Sequence, residues 1–146
     1  MKALLLALSF LGIFAASAQK KRVPDTEASW KLLLNKKILL KATTEDEAAN
    51  VIPVKRRKKC GPLQVAYVPA SSQKTGWNRT ITVYGANDQE LFKASGNSLK
   101  MSWAKLSALA KGQTELKVYT MAIPSDPAKA ALVRVRRVHL VTIRLV

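Results

Sequence analysis

Residues 77–94 read WNRTITVYGANDQELFKA, and this stretch decides the fold. Trp77, Arg79, Ile81 and Val83 fall on one side of an alternating run, and Thr80, Thr82 and Tyr84 on the other. A period of two with β-branched and aromatic residues predicts a half-buried strand, because successive side chains in a strand point to opposite faces. Gly85-Ala86-Asn87-Asp88 then predicts a turn into a further strand over Glu90–Ala94.

The same pattern extends upstream. Trp30, Leu32 and Leu34 alternate with Lys31 and Leu33, Asn35-Lys36 offers a turn, and residues 37–42 are apolar again, which predicts a hairpin. Val51–Val54 is a short strand candidate that Pro53 confines to a sheet edge, since proline has no N–H for a second neighbour. Leu63, Val65 and Tyr67 alternate with Gln64 and Ala66 in the next strand. Downstream, Gly96-Asn97 breaks the chain, and Ser102–Lys111 is the one helical stretch, with Ser102 as cap and Gly112 as stop. Glu115–Ile123 predicts a strand, and Pro124-Ser125-Asp126-Pro127 a turn running into a helical turn over Lys129–Ala131.

The final run, Leu132–Val146, exceeds the usual 3–10 residues of one strand. Strict alternation would set Arg137 and His139 beside Val133 and Val135. One extra residue, as in a β-bulge, would instead align the valines with Val138 and Leu140. A bend or break near Arg136-Arg137 is therefore expected.

These signals give about eight strands at spacings of about 8–12 residues and no alternating helices, the sign of an all-β sandwich. The segment Leu99–Tyr119, a strand, a leucine-bearing turn, a glycine and a strand with Tyr119, resembles the late part of immunoglobulin-like domains. The paired cysteines and intervening tryptophan of antibody domains are missing, so the resemblance implies an immunoglobulin-like or related Greek-key topology only. The expected organisation is a basic arm over residues 19–29 and one β-sandwich over residues 30–146.

Composition agrees. Of 146 residues 48% are apolar, too many for a disordered chain. One cysteine excludes a disulfide within the chain, and one histidine argues against a histidine metal cage. Lys and Arg number 25 against 9 acids, for a net charge of +16.

The chain opens Met1-Lys2, followed by ALLLALSFLGIFAASA up to Ala18. A positive start, a short apolar core and the small residues Ala16-Ser17-Ala18 predict a signal peptide over residues 1–18 and export to the periplasm or medium. The apolar run falls short of the about 20 residues a spanning helix needs. Lys20, Lys21 and Arg22 directly behind the cut oppose translocation. They keep open an alternative in which uncleaved residues 3–18 anchor the body to the membrane.

The densest local charge is Lys55, Arg56, Arg57, Lys58 and Lys59. Clustered Lys and Arg attract phosphate and sulfate, so this run is a candidate polyanion site, set against the plainer reading of a solvated basic loop. Arg134, Arg136 and Arg137 form a second candidate group. On a strand, Arg134 and Arg136 would project from one face about 7 Å apart and could grip a carboxylate or phosphate. Pairing with Glu90, Glu115 or another acid is the competing reading, and for these arginines the favoured one. No aromatic interrupts the 55–59 run, which argues against stacked nucleic-acid bases, and export would put genomic nucleic acid in another compartment.

Glu45-Asp46-Glu47 lacks the spacing and turn glycine of calcium loops and reads as a solvated acidic loop. His139 reads as a half-buried strand residue, and Cys60 as a small buried residue before a strand. Trp77, at a strand entrance after Gly76, is the aromatic most expected at the surface.

No nucleophile set, paired-carboxylate cleft, phosphate loop or cofactor fingerprint appears, so the sequence reads as a binding protein and not an enzyme. Its expected partners are an anionic glycan, a lipid head group or an acidic protein surface. The alternative is a structural or assembly subunit of a cell-envelope complex.

Overall fold

A computed structural model describes residues 27–56 and 60–146. The signal peptide over residues 1–18, the basic trio Lys20–Arg22 and the residues Arg57, Lys58 and Lys59 lie outside the described residues. The described chain forms nine strands, Ser29–Leu34 (β1), Lys37–Ala42 (β2), Val51–Val54 (β3), Leu63–Val68 (β4), Trp77–Tyr84 (β5), Glu90–Ser95 (β6), Ser98–Met101 (β7), Glu115–Pro124 (β8) and Val138–Leu145 (β9). Two short helices, Trp103–Leu109 (α1) and Pro127–Ala130 (α2), join them, with a 3-10 turn at Ser71–Gln73. No helix among the described residues is long and apolar enough to cross a membrane.

The strands make two sheets, ordered β2-β1-β4-β7 and β3-β9-β8-β5-β6. With β1, β4 and β7 in the places of A, B and E, and β5, β8 and β9 in those of C, F and G, this is an immunoglobulin-like Greek-key sandwich. Local chemistry sets the turns. Asn35 and Lys36 both have positive φ, at 50° and 65°, the twist that a two-residue hairpin loop requires. Pro53 lies in edge strand β3, which among the described residues pairs with β9 alone, in parallel. The Ser102 hydroxyl accepts the Lys105 N–H at 3.2 Å and caps α1.

Between the sheets lie Leu32, Val65, Ile81, Leu99, Leu116 and Ile143, each fully buried. One polar bond crosses the core, where the Trp30 indole Nε1 donates to the Leu140 carbonyl at 2.8 Å. It locks β1 to β9 and satisfies a backbone oxygen that the bulged strand leaves free. That bulge is at Leu140, since Tyr119 pairs with His139 and Val118 with Val141.

The C-terminal run does break where the sequence suggested, with β9 starting only at Val138. The form of the break differs from a bulge at Arg136-Arg137. Residues 132–137 leave the sheet altogether, and the extra residue falls at Leu140. His139 is likewise fully, not half, buried. The loop over residues 43–50 covers it, through the Glu45 carboxylate that accepts the His139 N–H at 2.8 Å.

Candidate anion-binding site

The structure places Lys55 and Arg56 apart from the second basic group, Arg134, Arg136 and Arg137, at opposite ends of β9. Lys55 and Arg56 follow β3 beside the C-terminal end of β9, where the Arg56 N–H donates to the Val146 carbonyl at 2.9 Å. The Arg56 guanidinium is turned onto the end of α1. Its Nη1 donates to the Ala110 carbonyl at 3.2 Å, and its Nη2 donates to the Gln113 carbonyl. A cation on carbonyls at a helix C-terminus is favourable in the dipole field, so Arg56 serves the fold there. With Trp103, Leu106 and Leu145, Lys55 and Arg56 line a small cavity of about 260 Å³.

Arg136 and Arg137 are ion-paired. Arg136 Nη1 meets Glu45 Oε2 at 2.8 Å. Arg137 makes two bonds to the Asp88 carboxylate, at 3.0 and 3.2 Å, while its guanidinium lies 4.8 Å from the Tyr84 and Tyr119 ring centroids. The Asp88 and Tyr84 partners raise the Arg137 pKa further above its ordinary value. Pairing with acids, the competing reading, thus describes these two arginines, although the acids are Glu45 and Asp88. Arg134 differs. It is exposed and has no ion-pair partner among the described residues. Arg134 and Arg136 are not neighbours on a strand face, because residues 132–137 run outside the sheet.

Their shared surroundings are a cavity of about 280 Å³ at one end of the sandwich, and its innermost cation is Arg79 of β5. Alternation along β5 aims Arg79 inward with Ile81 and Val83, and only 7% of the residue is exposed. Its guanidinium lies 4.3 Å from the Tyr67 ring centroid, and Tyr67 in turn stacks on Trp30 at 6.1 Å. Arg79 Nη1 donates to Thr120 Oγ1 at 3.2 Å and Nη2 to Gln73 Oε1 at 2.7 Å. Thr120 donates onward to the Thr80 carbonyl at 3.0 Å, which fixes the hydroxyl as an acceptor for arginine. Burial pulls the Arg79 pKa down, Tyr67 partly offsets it, and no carboxylate among the described residues contributes.

Residue-type signals had marked Arg134, Arg136 and Arg137 for this region and missed Arg79. The available clue was a charged residue on the inward face between Trp77 and Ile81. Trp77, expected at the surface, is half-buried and forms a wall of the Arg79 cavity. Cys60 is a half-buried free thiol just ahead of β4, less enclosed than expected.

On the far face of the β9 sheet, Tyr84, Tyr119 and His139 form an edge-to-face series with centroids 5.6 and 5.4 Å apart. His139 Nε2 meets Thr142 Oγ1 at 2.9 Å, and Nδ1 has no partner among the described residues. Burial lowers the His139 pKa below its ordinary value against the pull of Glu47 and Glu45. No known protein family matches the chain, and no curated protein matches it in sequence.

Proposed function

We propose that this protein is a small exported, basic β-sandwich that binds anionic partners, such as sulfated glycans, lipid phosphates or acidic protein surfaces, and does no chemistry on them. The observation that carries this reading is the charge imbalance. Nine acids cannot neutralise 25 cations, and the described residues hold only four ion pairs. The remaining cations project a positive field that is screened over about 8 Å at physiological salt. Export rests on the A-x-A site and short apolar core of residues 1–18.

Heparin binding across a salt series tests the reading, with affinity expected to fall steeply as salt rises. A local site within the 55–59 run is tested by changing Lys55, Arg57, Lys58 and Lys59 to Ser and sparing Arg56, which holds α1. A charge-matched control changes Lys31, Lys74, Lys93 and Lys129 to Ser. Greater loss in the first variant supports a local site, and equal loss reduces the effect to net charge. Heparin binding that ignores salt refutes the reading.

A protein partner in an envelope assembly is the second reading. It is favoured by the exposed apolar side chains Leu132, Val133 and Val135, the first of them 87% exposed, interleaved with Arg134 and Arg136. Changing Leu132 and Val135 to Ser would then release a co-purifying envelope protein and leave heparin binding intact.

A further inference from the structure

A buried guanidinium is costly unless it is paired, and the usual compensation inside a protein is a carboxylate. Arg79 has none. Its observed partners are a threonine hydroxyl, a glutamine amide oxygen and the face of a tyrosine, all neutral. Glu45 pairs with Arg136 of the same cavity and with the His139 backbone. The cavity that Arg79 faces carries three guanidinium groups, those of Arg79, Arg134 and Arg136, and only the last is neutralised.

The rest of the wall is mixed, with Gln73 and Thr120 at its polar side and apolar side chains opposite. Trp77, Val133, Val135 and Val138 form that apolar side, and at about 280 Å³ the cavity falls just below the usual range for ligand pockets, about 300–1,000 Å³. Arginine presents its donors in a planar fork that matches two oxygens in one plane. A flat carboxylate on a small organic body suits both the planar fork and the apolar part of this lining, Trp77 and the three valines. Threonine, glutamine and tyrosine hold the fork in place before any ligand arrives, which lowers the ordering cost of binding.

We propose that this cavity is a binding site for a small organic carboxylate, with Arg79 as the buried counter-charge, Arg134 as a second cation at the mouth, and Trp77 with the three valines around the apolar body. The proposal extends the anion-binding reading from a diffuse surface field to one built site.

Titration with benzoate, benzyl alcohol and phenyl phosphate, followed by calorimetry and by 1H–15N NMR, tests it. Benzoate is expected to bind saturably in the millimolar range or tighter, at least tenfold better than benzyl alcohol and better than phenyl phosphate. It should shift the Arg79 side-chain and Trp77 indole N–H signals. Arg79→Gln should lose at least tenfold in benzoate affinity, and Arg134→Ala several-fold. Equal binding of benzoate and benzyl alcohol, preference for phenyl phosphate, shifts confined to other parts of the protein, or a folded Arg79→Gln variant that binds as the wild type does would each overturn it. Should Arg79→Gln fail to fold, the wild-type shift map and Arg134→Ala decide. A protein that retains salt-sensitive heparin binding but ignores benzoate loses this site and keeps the surface reading; one that takes benzoate and ignores heparin does the reverse.

Discussion

Glu45 ties the acidic loop to the start of β9, and its removal should be felt in a pH-dependent way. Its Oε1 accepts the His139 N–H at 2.8 Å and its Oε2 meets Arg136 at 2.8 Å. The two contacts differ in worth. The Arg136 side chain is 67% exposed, so that pair contributes at most about 1 kcal/mol. The His139 amide is in a partly buried setting, and leaving it without an acceptor costs about 1–3 kcal/mol. Glu45→Ala should therefore destabilise by about 1.5–3 kcal/mol at pH 7. Glu45→Gln keeps an oxygen for the amide and should cost only about 0.5–1 kcal/mol. Burial raises the Glu45 pKa, but the His139 amide and Arg136 outweigh it, and the result lies below the ordinary 4.5. A lowered carboxylate contributes stability above its unfolded pKa and loses it as pH falls through the folded one. The wild type should thus converge on Glu45→Gln as pH drops below 4.5, while both stay above Glu45→Ala. Urea unfolding of the three proteins at pH 7 and pH 3 measures the gaps. A wild-type advantage over Glu45→Gln that is the same at both pH values would refute the assignment of that advantage to charge.

His139 is the chain's single histidine, so its imidazole signals in an NMR titration need no assignment, and they should report a pKa below 6.5 because burial disfavours the charged ring. The unfolded chain then takes up a proton first, and stability should decline as pH falls below 6.5, a decline that His139→Phe flattens. Trp30→Phe keeps the stack on Tyr67 but strands the Leu140 carbonyl, at an expected cost of about 1–3 kcal/mol in urea unfolding. Ser102→Ala removes the cap of α1 and should cost about 1 kcal/mol, with Ser102→Asp restoring most of it.

The contrast between Arg79 and Arg137 shows where the sequence is informative and where it stops. Strand alternation in WNRTITVY suffices to put Arg79 on the same face as Ile81 and Val83, and the structure keeps it there. Turn chemistry is equally local: Asn35-Lys36 and Ser102 act through atoms within a few residues of themselves. The strands, the edge position of Pro53 and the break before β9 were legible for that reason. Which arginine is neutralised is a different kind of fact. Arg136 finds Glu45 across 91 positions and Arg137 finds Asp88 across 49, and both pairings exist because the 43–50 loop and the β5–β6 turn converge on the β9 end. Proximity in sequence favoured Arg134, Arg136 and Arg137 as one group, yet the fold consumes two of them in ion pairs. Among the described residues, the buried arginine left without an acid is the one whose neighbours in sequence are asparagine and threonine. A charged residue on a face that alternation assigns to the core is therefore worth more attention than a run of exposed ones. The run requires only solvent, whereas the inward arginine requires a partner, and for Arg79 the described residues supply only neutral ones.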